Sequence, residues 1–169
     1  MQILPGKESI PCSSLFFENA KLLTDSLGIT PLLYGSLGLE YLTGENLNAD
    51  DIDILIPGVF LTDSWNEFRS VLEHHGYTLI DAHEHTFEKD GIHYSYAQIE
   101  ELETFAHIPL AEIQTRQAAG SRFKLLSLEQ YLKVYTASAK DGYRVTTRGK
   151  KDTEKIAFIR AKIEHAGTR

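Results

Sequence analysis

Asp51 and Asp53 stand two residues apart at the head of the apolar run from Ile52 to Ile56. Side chains alternate along a strand, so both carboxylates share one side while Ile52 and Ile54 enter the core. Two ionised carboxylates held together repel each other, and a divalent cation offsets that repulsion. Magnesium commonly takes one or two carboxylates plus substrate phosphates, and two-metal sites use such acids to activate one oxygen and stabilise another. Upstream, the apolar run Leu32-Leu33-Tyr34 stops at Gly35-Ser36. Glycine allows close approach of backbone to a ligand, and the amides that follow would open a helix, whose N-terminus attracts phosphate. The Ser36 hydroxyl adds a donor. Charge developing in phosphoryl transfer would then be held by metal on one side and fixed amides on the other. Each half also has an ordinary reading, as a strand-start cap or a turn. Only together do they predict a site. Asp50 alternates to the opposite side and is left out of it.

The elements around these residues follow from periodicity. A first helix is expected from Ser13 or Ser14 to Gly28, with Phe16, Ala20, Leu23 and Leu27 on one face. Residues 30–34 read as a buried strand and residues 37–42 as a short helix broken by Gly44. Ile52 to Ile56 is the second strand, closed by Pro57-Gly58. A helix starts near Asp63 or Ser64, with Ser64 and Glu67 at capping-box spacing, and ends at Gly76. Residues 77–80 form a strand. Asp90-Gly91 between alternating runs predicts a hairpin of residues 86–89 and 92–96. Residues 98–105 look helical, with a further helical piece after Pro109. Residues 122–126 are a weaker strand candidate. Ser127 and Gln130 form another capping box, residues 140–151 read as loop, and a last helix covers about 152–163. The expected fold is an α/β (α+β) single domain: a small mixed β-sheet flanked by helices, with a core over about residues 28–105 and a mostly helical tail over about 106–169.

The totals agree with that scale. The chain has 169 residues, of which 42% are hydrophobic and 24% charged, enough for one core and close to a soluble norm. The formal net charge of -7 shows no basic excess, so no long nucleic acid is expected as partner. The single cysteine, Cys12, excludes an intrachain disulfide framework and suits a reducing cytoplasm. The N-terminus lacks a signal-peptide layout and no apolar run reaches membrane-spanning length, so no membrane partner is expected.

A Gly-Ser after a buried strand, then Asp-x-Asp at the head of the next, resembles the signature of the nucleotidyltransferase fold superfamily. The run from Leu33 to Pro57 is similar to that of its small bacterial members. The resemblance implies that Gly35 and Ser36 position a nucleoside triphosphate, with ATP the expected donor, and that Asp51 and Asp53 bind Mg2+. It implies transfer of a nucleoside monophosphate to an acceptor, with release of pyrophosphate. It also implies a third carboxylate on the second hairpin strand. Ser95 stands about where that acid belongs, and of Glu88, Asp90, Glu100 and Glu101 nearby, Glu100 is the expected substitute. In the helical tail the resemblance makes Arg144 and Lys151 candidate phosphate contacts. The plainer reading there is a solvated loop, with Asp152 as a helix N-cap.

The expected activity is therefore a magnesium-dependent nucleotidyltransferase acting on an unidentified small-molecule or protein acceptor. The alternative is a degenerate member of the fold that lacks the third acid and serves as a nucleotide-binding or interaction module. A weaker third reading is a histidine-based metal hydrolase using His83 and His85, for which no third ligand at recognisable spacing is found; an exposed polar segment is the simpler account.

Overall fold

The structure, a computed structural model, describes residues 12–140 and 149–167; the side chains of 149–152 and 167 lie outside that description. Helix α1 (Cys12–Leu27) comes first, followed by β1 (Leu32–Tyr34), α2 (Gly35–Thr43) and β2 (Ile52–Ile56). A 3-10 turn (Gly58–Leu61) leads to α3 (Trp65–His74), then β3 (Thr78–Asp81), β4 (Thr86–Lys89) and β5 (Ile92–Gln98). Helix α4 (Glu101–Ala106) and a second 3-10 turn (Leu110–Glu112) precede β6 (Gln114–Ala118) and β7 (Ser121–Leu125). Among the described residues, α5 (Leu128–Lys140) and α6 (Gly149–Gly167) follow.

The strands form one seven-stranded mixed sheet in the order β3-β4-β5-β2-β1-β7-β6. The central strands set the geometry of the site. β1 runs antiparallel to β2, with Tyr34 opposite Asp53, and β2 runs parallel to β5, with Asp53 opposite Ser95. β7 joins β1 in parallel from the far side. The sheet is larger than the sequence suggests because the segment after α4 contributes a hairpin. β6, Gln-Thr-Arg-Gln-Ala, is exposed along four of its five residues and lacks the alternation by which a strand is recognised. It is an edge strand, and a polar edge discourages pairing with other chains.

Helices cover both faces. On one, Phe16 and Leu23 of α1 and Phe68 and Leu72 of α3 pack against Ile52, Ile54 and Ile56. Each such side chain is fully buried and is worth about 1.5–3 kcal/mol of transfer free energy. On the other, Leu102 of α4, Tyr131 and Val134 of α5 and Ile159 of α6 pack against Leu32 and Leu55. Strand alternation thus sends the odd residue Asp53, with Leu55, towards the second layer, where α5 and α6 lie.

Several local signals work as read. Gly28 ends α1 with φ 67° and donates to Thr24 O, while Ile29 N–H reaches Leu23 O. Asp90 and Gly91 both take positive φ, as a two-residue hairpin turn requires. The Ser127–Gln130 capping box closes in both directions, at 2.9 and 3.2 Å. The Ser64–Glu67 box does not form. Ser64 makes no side-chain cap bond, and the preceding 3-10 turn holds its backbone N–H on Val59 O instead. Helix α2 begins two residues earlier than periodicity suggests, at Gly35, so the glycine itself is part of the helix start. The stretch expected as loop between residues 140 and 151 lies mostly outside the described residues.

Candidate active site

The antiparallel β1–β2 pair brings the end of β1 to the beginning of β2. Gly35 therefore sits beside Asp53. Its φ of +65° is a left-handed conformation that glycine adopts without strain. A Cβ built on Gly35 would lie 2.5 Å from Asp53 Oδ2, so the carboxylate fills the place a side chain would need. Ile52 is fully buried, Asp53 half-buried and Asp51 exposed. Ile52 and Ile54 enter the α1–α3 core, which sends Asp53 towards the opposite layer. Asp51, just ahead of β2, lies close enough to Cys12 of α1 to add, after burial, Glu40 and Asp50, to the raised pKa of that thiol. The structure thus puts Gly35, Ser36, Asp51 and Asp53 at one end of the sheet.

The C-terminal helices complete this end. Lys155 of α6 reaches across 119 residues of sequence to donate to Ser36 Oγ at 2.9 Å. Tyr131 of α5 donates its hydroxyl to Gly35 O at 3.1 Å. Sequence reasoning found neither. For Lys155 the signal was nearly there: Lys151 lies one helical turn earlier, about 6 Å along the axis. Lys151 lies on α6 with its side chain outside the described residues, and Arg144 falls wholly outside them. For Tyr131 the available signal was a second glycine in Gly35-Ser36-Leu37-Gly38.

Beside Asp53 opens a cleft of about 560 Å3, lined among others by Tyr34, Ser95, His83, Glu84, His85 and Glu101. Ser95 occupies the strand position facing Asp53, and its hydroxyl is 2.9 Å from that of Thr86. Glu100 does not line the cleft. Both of its carboxylate oxygens accept from Gly58 N–H, at 2.9 and 3.2 Å, which ties the start of α4 to the end of β2. Its neighbour Glu101, in the first turn of α4, is the acid that reaches the cleft. His83 and His85 line the same cleft, but among the described residues no three His, Cys, Asp or Glu side chains come together as a metal site. The Asp81 carboxylate holds their loop by accepting from the N–H groups of His83 and Glu84, and the His85 ring meets Trp65 edge-on at 5.1 Å.

Carboxylates that meet no third His, Cys, Asp or Glu among the described residues would fit magnesium, which leaves coordination positions for phosphate oxygens and water. Among the described residues, no helix is long and apolar enough to cross a membrane.

Residues 19–156 match the family model for aminoglycoside-2''-adenylyltransferase. The chain belongs to that family. It is 39% identical over 150 residues to the uncharacterized protein YnaI of Bacillus subtilis (strain 168), covering 89% of this chain and 96% of that one. Its fold is similar to that of an antigenic nucleotidyltransferase-like protein from Paracoccidioides brasiliensis, with a TM-score of 0.58 and 18% identity, over 86% of this chain and 73% of that one. It is also similar to ANT(2")-Ia in complex with adenylyl-2"-tobramycin, with a TM-score of 0.53 and 13% identity, over 90% of this chain and 99% of that one. The nucleotidyltransferase fold expected from the Gly-Ser and Asp-x-Asp pair is thus the fold the chain has.

Proposed function

We propose that this protein is a magnesium-dependent nucleotidyltransferase that moves a nucleoside monophosphate, from ATP as the first candidate donor, to a hydroxyl of a positively charged small molecule. The observation that supports the reading is the close approach of Gly35 to Asp53, which sets a glycine turn able to take phosphate beside a carboxylate able to take the cation. Asp51 and Asp53 would hold the cation, which supplies charge neutralisation for the phosphates. The amides opening α2 and the Ser36 hydroxyl bind the phosphates, and Lys155, already on Ser36, adds a positive charge to them. In the transfer, the acceptor oxygen bonds to the α-phosphorus, the bond from that phosphorus to the bridging oxygen breaks, and pyrophosphate leaves. Glu101 takes the proton of the acceptor hydroxyl. The acids Asp53, Glu84 and Glu101 along one cleft favour a cationic acceptor, and aminoglycosides are the natural first probes.

A second reading rests on Ser95. With a hydroxyl opposite Asp53 where the fold's third acid is expected, the chain would bind nucleotide without turning it over. One assay separates the two. Pyrophosphate release from ATP and magnesium across a panel of aminoglycosides and other amino sugars supports the enzyme. Calorimetric binding of magnesium-ATP without pyrophosphate release under any acceptor supports the binding module.

A further inference from the structure

Tyr131 is fully buried on α5, its ring stacked on Tyr135 at 6.1 Å and 15°. A tyrosine in a helix facing a sheet would ordinarily be core. Its hydroxyl, however, leaves the apolar layer and ends on Gly35 O at 3.1 Å. It reaches that oxygen past Gly38. A Cβ on Gly38 would collide with Tyr131 Oη and would lie 2.6 Å from Leu33 O, so the bare Cα is the slot that admits the phenol. Burial, with the neighbouring Tyr135, Tyr34 and Asp53, holds the phenol well above its ordinary pKa, so it stays a donor throughout the range in which proteins are normally assayed.

We infer that Tyr131 is a positioning residue for the phosphate turn, fixing the Gly35–Ser36 peptide so that the Ser36 N–H faces a nucleoside triphosphate; this rests on the reading given under Proposed function. In a trans peptide the C=O and the following N–H point in opposite directions. Anchoring Gly35 O on Tyr131 therefore aims Ser36 N–H out of the start of α2, where helix amides lack partners of their own. Gly35 needs such an anchor more than another residue would. It has no Cβ to restrict its peptide, so what holds its carbonyl is the bond it makes as first residue of α2 together with the Tyr131 hydroxyl. Every flip turns a carbonyl oxygen towards the phosphates in place of an amide. The Tyr131 hydroxyl opposes that flip and, being fully buried, touches no substrate itself.

The test uses the full chain with magnesium-ATP and, separately, adenosine as probes in calorimetry. Tyr131→Phe keeps the ring and the stack on Tyr135 and removes only the hydroxyl. The expected result is magnesium-ATP binding weakened about tenfold, as for loss of one well-placed hydrogen bond. Adenosine binding should be unchanged, and Tyr135→Phe should leave both ligands at wild-type affinity. In the wild type, magnesium-ATP and not adenosine should protect the Ser36 amide from hydrogen exchange, an outcome that does not depend on any variant folding. Wild-type affinity in Tyr131→Phe, equal weakening of adenosine, or an unprotected Ser36 amide overturns the positioning role while leaving the nucleotidyltransferase reading intact. A wild type that binds no nucleoside triphosphate defeats that reading and this one with it.

Discussion

Gly35 and Asp53 share one side-chain's worth of space: the carboxylate of Asp53 stands where a Cβ on residue 35 would have to go, 2.5 Å from Oδ2. The turn and the acid are therefore a single unit, although 18 positions separate their numbers. Gly35→Ala must both enter a left-handed conformation and push Asp53 aside. The conformation alone costs about 1–2 kcal/mol, and a thermal melt should show at least that loss. Magnesium-ATP binding should fall below detection, because the carboxylate is displaced along with the turn.

Asp53→Asn keeps the volume and removes the charge. The expected outcome is a melting temperature within a few degrees of wild type and loss of magnesium-dependent nucleotide binding, measured by calorimetry. Unfolding by this change would mark Asp53 as a structural acid instead.

Glu100 and Glu101 are adjacent in sequence and differ in what they do. Glu101→Gln should reduce pyrophosphate release at least about a hundredfold, the usual scale for loss of a general base, with magnesium-ATP affinity unchanged. Glu100→Gln weakens the bonds from Gly58 N–H. It should cost about 1 kcal/mol of stability and little turnover.

Lys155→Ala removes the ammonium on Ser36 Oγ. Its expected signature is a raised KM for the nucleoside triphosphate, with the KM for the acceptor unaltered. Raising the salt concentration should weaken nucleotide binding less in the variant than in the wild type, since a charge contact is already gone.

Lys162 of α6 sits 2.6 Å from Glu45, just after α2, and holds that carboxyl below its usual range, through a hydrogen bond first and charge second. The folded pKa is depressed, so the stabilisation is present above the ordinary carboxylate range and fades as pH falls through the lowered value. Lys162→Ala should return the Glu45 carboxyl to its ordinary range, followed by NMR titration. It should also remove that part of the acid sensitivity of the α2–α6 contact.

The central strands were legible because they rest on short-range rules. Alternation around Ile52 and Ile54, the Asp90-Gly91 turn and the Ser127–Gln130 box each involve residues a few positions apart. What escaped was long-range or polar. β6 carries no apolar alternation, since an edge strand buries little, and so gave no signal. Glu101 and Glu100 differ by about 100° around a helix, a rotation that depends on where α4 begins rather than on composition. Lys155 and Tyr131 meet the Gly35-Ser36 turn from helices more than 90 residues away in sequence. Such contacts leave only indirect traces, and Gly38, the opening for Tyr131, is one of them.

The central claim, a magnesium-nucleotide site built from Gly35, Ser36, Asp51 and Asp53, is tested most directly by titrating ATP into wild type and Asp53→Asn, with and without magnesium. The expected result is binding to wild type only when magnesium is present, and none to the variant under either condition. Equal binding by the two proteins, or none by the wild type with magnesium present, would contradict it.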